Sequence, residues 1–335
     1  MQERTFKQHS LRKGKQMTQQ HIPVALDRCI ELLTPAIEFS LQHHDATYVI
    51  DATLGLGGHT RALLARFPTL IVIGIDRDER AIELARKNVE PFGDRLLISH
   101  TTYDQIEEVL LEHNIAEVAG ILFDLGVSSM QLDDGERGFA YSHDAPLDMR
   151  MDQSTGLTAL EVLNTYEHGA LVRILRMYGE EKFAPRIADF IIEARNEGRL
   201  NSTKDLAELV KNAIPAAARR TGGNPAKRTF QALRIEVNQE LSILEAAIPA
   251  ALKAIAVHGR VVVMAYQSLE DKIVKSYFSE ITESKTPRGL PVDLPDSAAK
   301  YVLVMRGSEA ASEAEIVINP RAQSMRLRAV ERLAA

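Results

Sequence analysis

The sequence predicts an α/β protein, a doubly wound parallel sheet interrupted by an inserted all-helical domain. Three observations lead there. Short apolar runs alternate with amphipathic stretches between Thr47 and Asp124, purely helical patterns then take over, and strand patterns return from Gly259. Strands that are apolar along their whole length are buried on both faces, which requires helices on each side of a parallel sheet. The chain has 335 residues, more than one core usually covers, so a main domain with a large insertion fits its length.

Each element has its own reason. Residues 48–52 are β-rich, 56–58 form a glycine turn and 60–67 are helical. A buried strand follows over 70–76, then a helix over 79–89 with Ile82, Ala85 and Val89 on one face. Residues 96–99 read as a third strand, 103–113 as a third helix and 118–124 as a fourth strand. An irregular polar stretch spans 125–151. Four helices follow near 157–166, 169–178, 181–197 and 203–214, the third and fourth carrying apolar stripes at Phe183, Ile187, Phe190, Ile191 and Ala194 and at Leu206, Leu209, Val210 and Ala213. Residues 221–225 are an exit linker, and one long helix holds Phe230, Leu233, Val237, Leu241, Leu244 and Ile248 in register. A strand at 259–265, a helix near 269–278, a Pro/Gly loop at 286–295 and strands at 301–306 and 324–330 complete the pattern. The implied division is a basic, disordered tail over 1–20, a main domain over 21–135 and 223–335, and an inserted helical domain over 136–222.

Composition narrows the function classes. A single cysteine, Cys29, rules out an internal disulfide framework and points to a reducing compartment. The apolar runs are strand-length, and the basic start leads into polar residues 16–21 rather than a signal peptide's apolar stretch. A cytoplasmic protein with no membrane partner is therefore expected. Forty basic against 46 acidic residues give a net charge of −6, which argues against nonspecific coating of nucleic acid. Ten histidines without ligand spacing and no cysteine pair leave no metal site to expect.

Three features sit where a nucleotide-containing cofactor needs them. Asp51-Ala-Thr-Leu-Gly55-Leu-Gly57-Gly58-His59 closes the first strand, where glycines admit a ligand to the backbone and the next helix offers free N–H groups. Asp76 closes the second strand, placed to accept both ribose hydroxyls. Asp124 closes the fourth. The third glycine of the dinucleotide fingerprint is missing, and His59 and Thr60 crowd the place of a pyrophosphate. An NAD-dependent oxidoreductase is disfavoured on those grounds. An acidic opener, a glycine turn and a ribose carboxylate suit S-adenosylmethionine, whose cationic end calls for carboxylates. The blander reading, a tight turn plus a helix cap, accounts for each feature singly but poorly for all three.

The residues also carry a resemblance. His21-Ile-Pro-Val24, the Asp51–His59 segment, Asp76-Arg-Asp78, Asp124-Leu-Gly-Val-Ser-Ser129, Gln131-Leu-Asp-Asp134, Arg137-Gly-Phe139, Pro146-Leu-Asp-Met-Arg-Met-Asp152, Tyr178-Gly-Glu-Glu181, Arg228-Thr-Phe-Gln-Ala-Leu-Arg234, Ser268-Leu-Glu-Asp271 and Asn319-Pro-Arg321 run along almost the whole chain. In these the chain resembles the bacterial small-subunit ribosomal RNA methyltransferase H family, which methylates a cytosine N4 of 16S rRNA. The resemblance implies a class I S-adenosylmethionine methyltransferase, a Rossmann-like sheet with the helical insertion. It implies cofactor contacts from Gly57, Gly58, His59, Asp76, Tyr103, Asp124 and Gln131, and 16S rRNA or the small ribosomal subunit as partner. Position 103 is often Phe in the family, and Gln267 stands where it usually has His.

Cytosine N4 is a poor nucleophile because its lone pair is delocalised into the ring. Acceptors at the end of the fourth strand can hold the amine, so Asp124, Ser128 and Ser129 are the catalytic candidates; the serines suit turn hydroxyls equally well. Arg219, Arg220, Lys227, Arg228 and Arg234, with Phe230 among them and no acid between positions 215 and 235, form the candidate RNA contact. A charge run is usually a solvated face, and the resemblance tips that balance. Asp148 and Arg150 are expected to brace the domain junction as a buried pair, and His21 to order the N-terminal strand. Met17 offers an alternative start, and a homodimer stays open. Competing functions are methylation of another amino substrate, DNA or a small molecule, and a non-catalytic ribosome assembly factor.

Overall fold

A computed structural model of the protein describes residues 23–221, 224–286 and 297–334. The tail over 1–20 with Met17, His21 and most of the Pro/Gly loop lie outside the described residues, as do the side chains of Ser129 and Arg220.

Seven strands form one sheet: β1 (Thr47–Asp51), β2 (Leu70–Asp76), β3 (Leu96–His100), β4 (Val118–Asp124), β5 (Ile255–Ala265), β6 (Tyr301–Leu303) and β7 (Arg326–Arg332). Their order is β3-β2-β1-β4-β5-β7-β6, with β1 to β5 parallel and β7 antiparallel to both neighbours. The chain runs outward from β1 to β3, then returns to the other side of β1 at β4. That reversal opens a crevice at the carboxyl ends of β1 and β4, where open α/β sheets bind ligands.

Alternate residues of each strand feed two cores. Ile50, Ile73, Ile75, Ile121, Phe123, Val261 and Val263 pack with α4 (Ile106–Glu112), α11 (Glu240–Ala254) and α12 (Ser268–Thr282). Val49, Val72, Leu122, Val262, Met264 and Leu327 pack with α1 (Leu26–His43) and α2 (Gly58–Arg66). On β2's edge side, α3 (Glu79–Val89) buries Ala81, Ile82, Ala85 and Val89, and the Asp78 side chain caps it by accepting the Arg80 N–H. A five-residue helix, α5 (Ser129–Asp133), interrupts the polar stretch after β4.

The insertion has its own core. It collects α6 (Ala159–Thr165), α7 (His168–Met177), α8 (Ala184–Asn196) and α9 (Thr203–Ala213), and takes in Ala226, Phe230, Ala232 and Leu233 of the chain that leaves it. Two capping boxes start α6 and α9, at Thr158 with Glu161 and at Ser202 with Asp205.

The structure departs from the sequence reading at several places, beyond the short helices Ser129–Asp133 and Glu313–Ile318. α1 has no counterpart among the expected elements, although its buried Cys29, Leu32, Leu33, Ala36, Ile37 and Ser40 keep a helical period; Pro35 inside it masks the pattern. The single long helix is two, α10 (Lys227–Asn238) and α11, broken at Gln239 in the left-handed region (φ 51°). The Asn238 carbonyl accepts from Arg77 Nη1 at 2.7 Å instead of from the next helical turn. Lastly, Asp148 and Arg150 do pair at 2.8 and 2.9 Å, but within a single loop and only partly buried, so they stiffen that loop rather than bridge the junction.

The junction is held by Arg137 and Asn238. Arg137 is buried, bonds Asp78 at 3.1 Å and donates to the carbonyls of Arg150 and Met151, each at 2.9 Å. Asn238 accepts the Met151 N–H and donates to the Met149 carbonyl, both at 2.7 Å. Removing one partner of a buried pair strands the other's charge, typically at a cost of about 3–5 kcal/mol. Arg137→Ala is therefore expected to lower stability by that order in urea unfolding. A loss within experimental scatter would show that the pair does not hold the two cores together.

Candidate active site

The segments that continue from β1, β2 and β4 line the crevice. Asp51 ends β1 and is 1% exposed; its Oδ2 accepts from the Thr60 hydroxyl at 2.6 Å, while Oδ1 has no hydrogen-bond partner among the described residues. Burial raises its pKa, and the neighbouring His59 pulls it back. Gly57 then adopts φ 75°, and a Cβ there would lie 2.9 Å from Val89 Cγ2, so glycine is required both by conformation and by space. α2 opens directly after it with no side-chain cap, leaving N–H groups facing the crevice mouth. Gly58 abuts Pro23, whose Cγ would sit 2.3 Å from a Cβ.

Asp76 ends β2. Its Oδ2 accepts the Gly55 N–H at 2.7 Å and its Oδ1 the Asp78 N–H at 2.9 Å, tying the glycine turn to the second strand. Each carboxylate oxygen keeps a further lone pair for a ligand hydroxyl. Desolvation pushes its pKa up to about 6, against the two N–H bonds that lower it.

Asp124 ends β4. Its N–H donates to Thr53 Oγ1 and its Oδ1 accepts from the Tyr266 hydroxyl, both at 2.7 Å. Its Oδ2 lies 4.0 Å from Nδ1 of His59, a buried ring whose Nε2 is 3.1 Å from the Val24 carbonyl. Tyr103 follows β3 and sets its ring edge-on to Phe123, 5.6 Å between centroids, beside Asp124 in sequence. Ser128 caps α5: its hydroxyl accepts the Gln131 N–H at 3.2 Å, and Gln131 returns by accepting the Ser128 N–H at 3.0 Å. The Gln131 amide also donates to Asp78 at 2.9 Å, so it reaches the crevice through Asp78.

The candidate RNA contacts divide. Lys227 and Arg228 are exposed at the start of α10, and Arg219 is partly exposed. Two others need correcting. Phe230 is 4% exposed inside the insertion's core, edge-on to Tyr141, with no face for a base to stack on. Arg234 is partly buried in a two-armed pair with Glu240 at 2.7 and 2.8 Å. Among the described residues no three His, Cys, Asp or Glu side chains are gathered to hold a metal ion, and no helix is long and apolar enough to cross a membrane.

Sequence reasoning missed Tyr266 and Thr53. Both follow strand ends that border the crevice, and that position was the available signal.

The residues fit a ligand with a cationic amino-acid end, a ribose and a base. Asp51 Oδ1 is a buried acceptor that an ammonium group satisfies, Asp76 suits the ribose hydroxyls, and Tyr103 offers a ring to the adenine. A pyrophosphate would meet those carboxylates as like charges. Sheet order and crevice chemistry together define a class I S-adenosylmethionine-dependent methyltransferase. The chain belongs to the MraW methylase family, whose profile matches residues 18–333. Its relatives include proteins named ribosomal RNA small subunit methyltransferase H. The one from Pseudarthrobacter chlorophenolicus is 54% identical over 321 residues, 96% of this chain and 97% of that one. Those from Mycolicibacterium smegmatis and Renibacterium salmoninarum are 56% and 55% identical, each over 313 residues or 93% of this chain, covering 84% and 95% of their own lengths.

A folded pKa raised from 3.8 to about 6 means that the charge on Asp76 opposes folding: its favourable contribution is whole below about 3.8 and lost as pH climbs through about 6. Asp76→Asn should therefore flatten the stability decline across that window. Asp76→Ala should weaken S-adenosylmethionine binding tenfold or more, at about 1.5–3 kcal/mol per hydrogen bond to a charged group. Calorimetry returning wild-type affinity for a folded variant would rule out the ribose role.

Proposed function

We propose that the protein methylates the N4 amine of a cytidine in 16S ribosomal RNA, acting in the cytoplasm on the rRNA or the small ribosomal subunit. Family membership supports the substrate class, and one observation carries the chemistry: a carboxylate, Asp124, fixed at the end of β4 in the cofactor crevice. S-adenosylmethionine supplies an electrophilic methyl group on a sulfonium. Asp124 accepts a hydrogen bond from N4, favouring the pyramidal amine whose lone pair points out of the ring. That lone pair forms the N–C bond as the C–S bond breaks, and the sulfur keeps the electron pair. N4 then carries a positive charge and sheds one proton to the Asp124 carboxylate. Ser128 and the first turn of α5 frame the target base from the loop after β4. Gly57, Gly58, His59, Asp51, Asp76 and Tyr103 hold the cofactor, with Gln131 acting through Asp78.

Tritium transfer from methyl-labelled S-adenosylmethionine to naked 16S rRNA, immature small subunits or DNA tests this directly. Labelled N4-methylcytidine from an RNA substrate is the expected product. Label only in DNA, or none in any substrate while the cofactor binds, would overturn the proposal in favour of another amino substrate or a non-catalytic assembly factor.

Asp124→Asn should keep cofactor affinity while single-turnover rate falls roughly a hundredfold, the scale of one preorganised group that meets developing charge. An equal loss of affinity with turnover intact at saturation would make Asp124 a binding residue only.

Arg219, Lys227 and Arg228 are the described cations left to contact phosphate. Lys227→Ala with Arg228→Ala should leave cofactor binding unchanged and flatten the slope of log affinity for RNA against log salt by about one to two units. An unchanged slope would return this patch to a solvated helix end.

A further inference from the structure

The wall of the crevice beside α2 is made by the chain that enters α1, and that chain is held in an unfavourable conformation. Ala25, the residue before α1, adopts φ 49° and ψ 32°. A left-handed turn is costly for a residue with a Cβ, and glycine is its usual occupant. α1 also begins without a side-chain cap. The acceptor comes instead from 290 residues further on: a carboxylate oxygen of Glu315 takes the Ala25 N–H.

Glu315 is itself anchored. It lies in α13 (Glu313–Ile318), where its N–H donates to the Ser312 hydroxyl at 3.2 Å. The chain that follows buries Ala322, Met325 and Leu327 in the same core as Val24, Ala25 and Cys29. Before α13, Glu309 exchanges backbone hydrogen bonds with Leu327 at 3.0 and 2.9 Å and takes both arms of Arg28 at 2.9 and 2.8 Å. That ion pair fixes the first turn of α1. The left-handed residue ahead of it is met by Glu315.

What Ala25 positions is the start of α2. The Val24 carbonyl, which can only accept, lies 3.1 Å from His59 Nε2, so the ring donates there. Pro23 sits so close to Gly58 that a Cβ on that glycine would stand 2.3 Å from its Cγ. Were Ala25 to relax to an ordinary helical or extended conformation, Pro23 and Val24 would swing away and both contacts would be lost.

We infer that Glu315 is a positioning residue for the cofactor: by holding Ala25 in its left-handed turn it keeps Pro23 and Val24 against Gly58 and His59, which shapes the wall that receives S-adenosylmethionine. It acts through the backbone and has no part in the chemistry. The inference rests on the proposed cofactor contacts of Gly58 and His59, not on the identity of the RNA.

Calorimetry with S-adenosylmethionine on the full chain tests it. Glu315→Ala should weaken binding about five- to twentyfold, part of the worth of one hydrogen bond to a charged acceptor. The single-turnover rate at saturating cofactor should stay within about twofold, since the lost contact serves binding alone. Glu315→Gln keeps an acceptor oxygen and should stay within about threefold of wild-type affinity. Adding Ala25→Gly to Glu315→Ala should restore affinity to that range, because glycine takes the left-handed turn unaided. Wild-type affinity in folded Glu315→Ala, or a loss that Ala25→Gly leaves untouched, would overturn the inference. Should Glu315→Ala not fold, Glu315→Asp decides in its place: its oxygen is drawn back by one methylene, and undiminished affinity refutes the role. His59→Ala examines the contacts themselves. If that variant binds S-adenosylmethionine as the wild type does, the proposed contacts fail and the inference with them; if it loses affinity while Glu315→Ala does not, the inference alone falls. A chain that shows the expected affinities but labels no RNA would fail the proposed substrate and leave the role of Glu315 standing.

Discussion

Asp78 and Arg137 form an ion pair whose side chains are each 3% exposed, and much of the molecule hangs on it. Two charges taken out of water cost several kcal/mol each unless their remaining donors and acceptors are met. Here most are met, from several parts of the chain, while Arg137 Nε has no hydrogen-bond partner among the described residues. Asp78 Oδ1 caps α3, and its Oδ2 takes both Arg137 and the Gln131 amide. The other arm of Arg137 holds the carbonyls of Arg150 and Met151, and Asn238 holds Met149 and Met151 from the opposite side. Arg77, next to Asp78, takes the Asn238 carbonyl and so fixes the break between α10 and α11. The turn after β2, the loop after β4, the entry to the insertion and the helix leaving it therefore share one network.

That network reaches the cofactor crevice in a single step. The Asp78 N–H bonds Asp76 Oδ1, so the Asp76 carboxylate is aimed by the residue that anchors the insertion. Asp76 in turn holds the Gly55 N–H, and Thr53 in the same turn accepts from Asp124. Three carboxylates, Asp51, Asp76 and Asp124, thus converge at the ends of adjacent strands. Like charges so placed repel, and desolvation raises the pKa of Asp51 and Asp76 further. Backbone N–H groups and two hydroxyls offset part of this. A cationic ligand offsets the rest, which explains why a crevice so poorly suited to phosphate suits a sulfonium.

The sheet was legible because its signal is local. Val49 and Ile50 face opposite cores, as do Leu122 and Phe123, so strands buried on both sides appear as unbroken apolar runs. Asp51, Asp76 and Asp124 were legible for a related reason: each closes such a run. What escaped depends on contacts distant in sequence. Nothing near Gln239 announces a helix break, because its cause is a hydrogen bond from Arg77. Tyr266 resembles an ordinary aromatic at a strand end until β5 is laid beside β4, which brings its hydroxyl to Asp124. Arg234 and Phe230 read as parts of a basic aromatic patch, yet helical spacing turns them inward, one to Glu240 and one to the insertion's core.

That inward turn changes how an RNA would be met. A charge count along the chain treats every cation as available, but a guanidinium paired in both arms with a carboxylate contributes less to counterion release from a polyanion than a free one. With Arg234 committed to Glu240, the described cations of this patch reduce to Arg219, Lys227 and Arg228, on a chain whose net charge is −6. Taken alone, these three described cations give a shallow salt dependence and little long-range attraction. Selectivity then has to come from shape and from the pocket that receives the base, which is the usual way folded RNA is distinguished. The insertion suits that task better as a rigid wall than as a charged arm. Its core is closed by Phe230 and Leu233, and its lower edge is fixed to the cofactor turn through Arg137 and Asn238. Through that network the insertion's wall and the turn after β2 are held in one fixed arrangement.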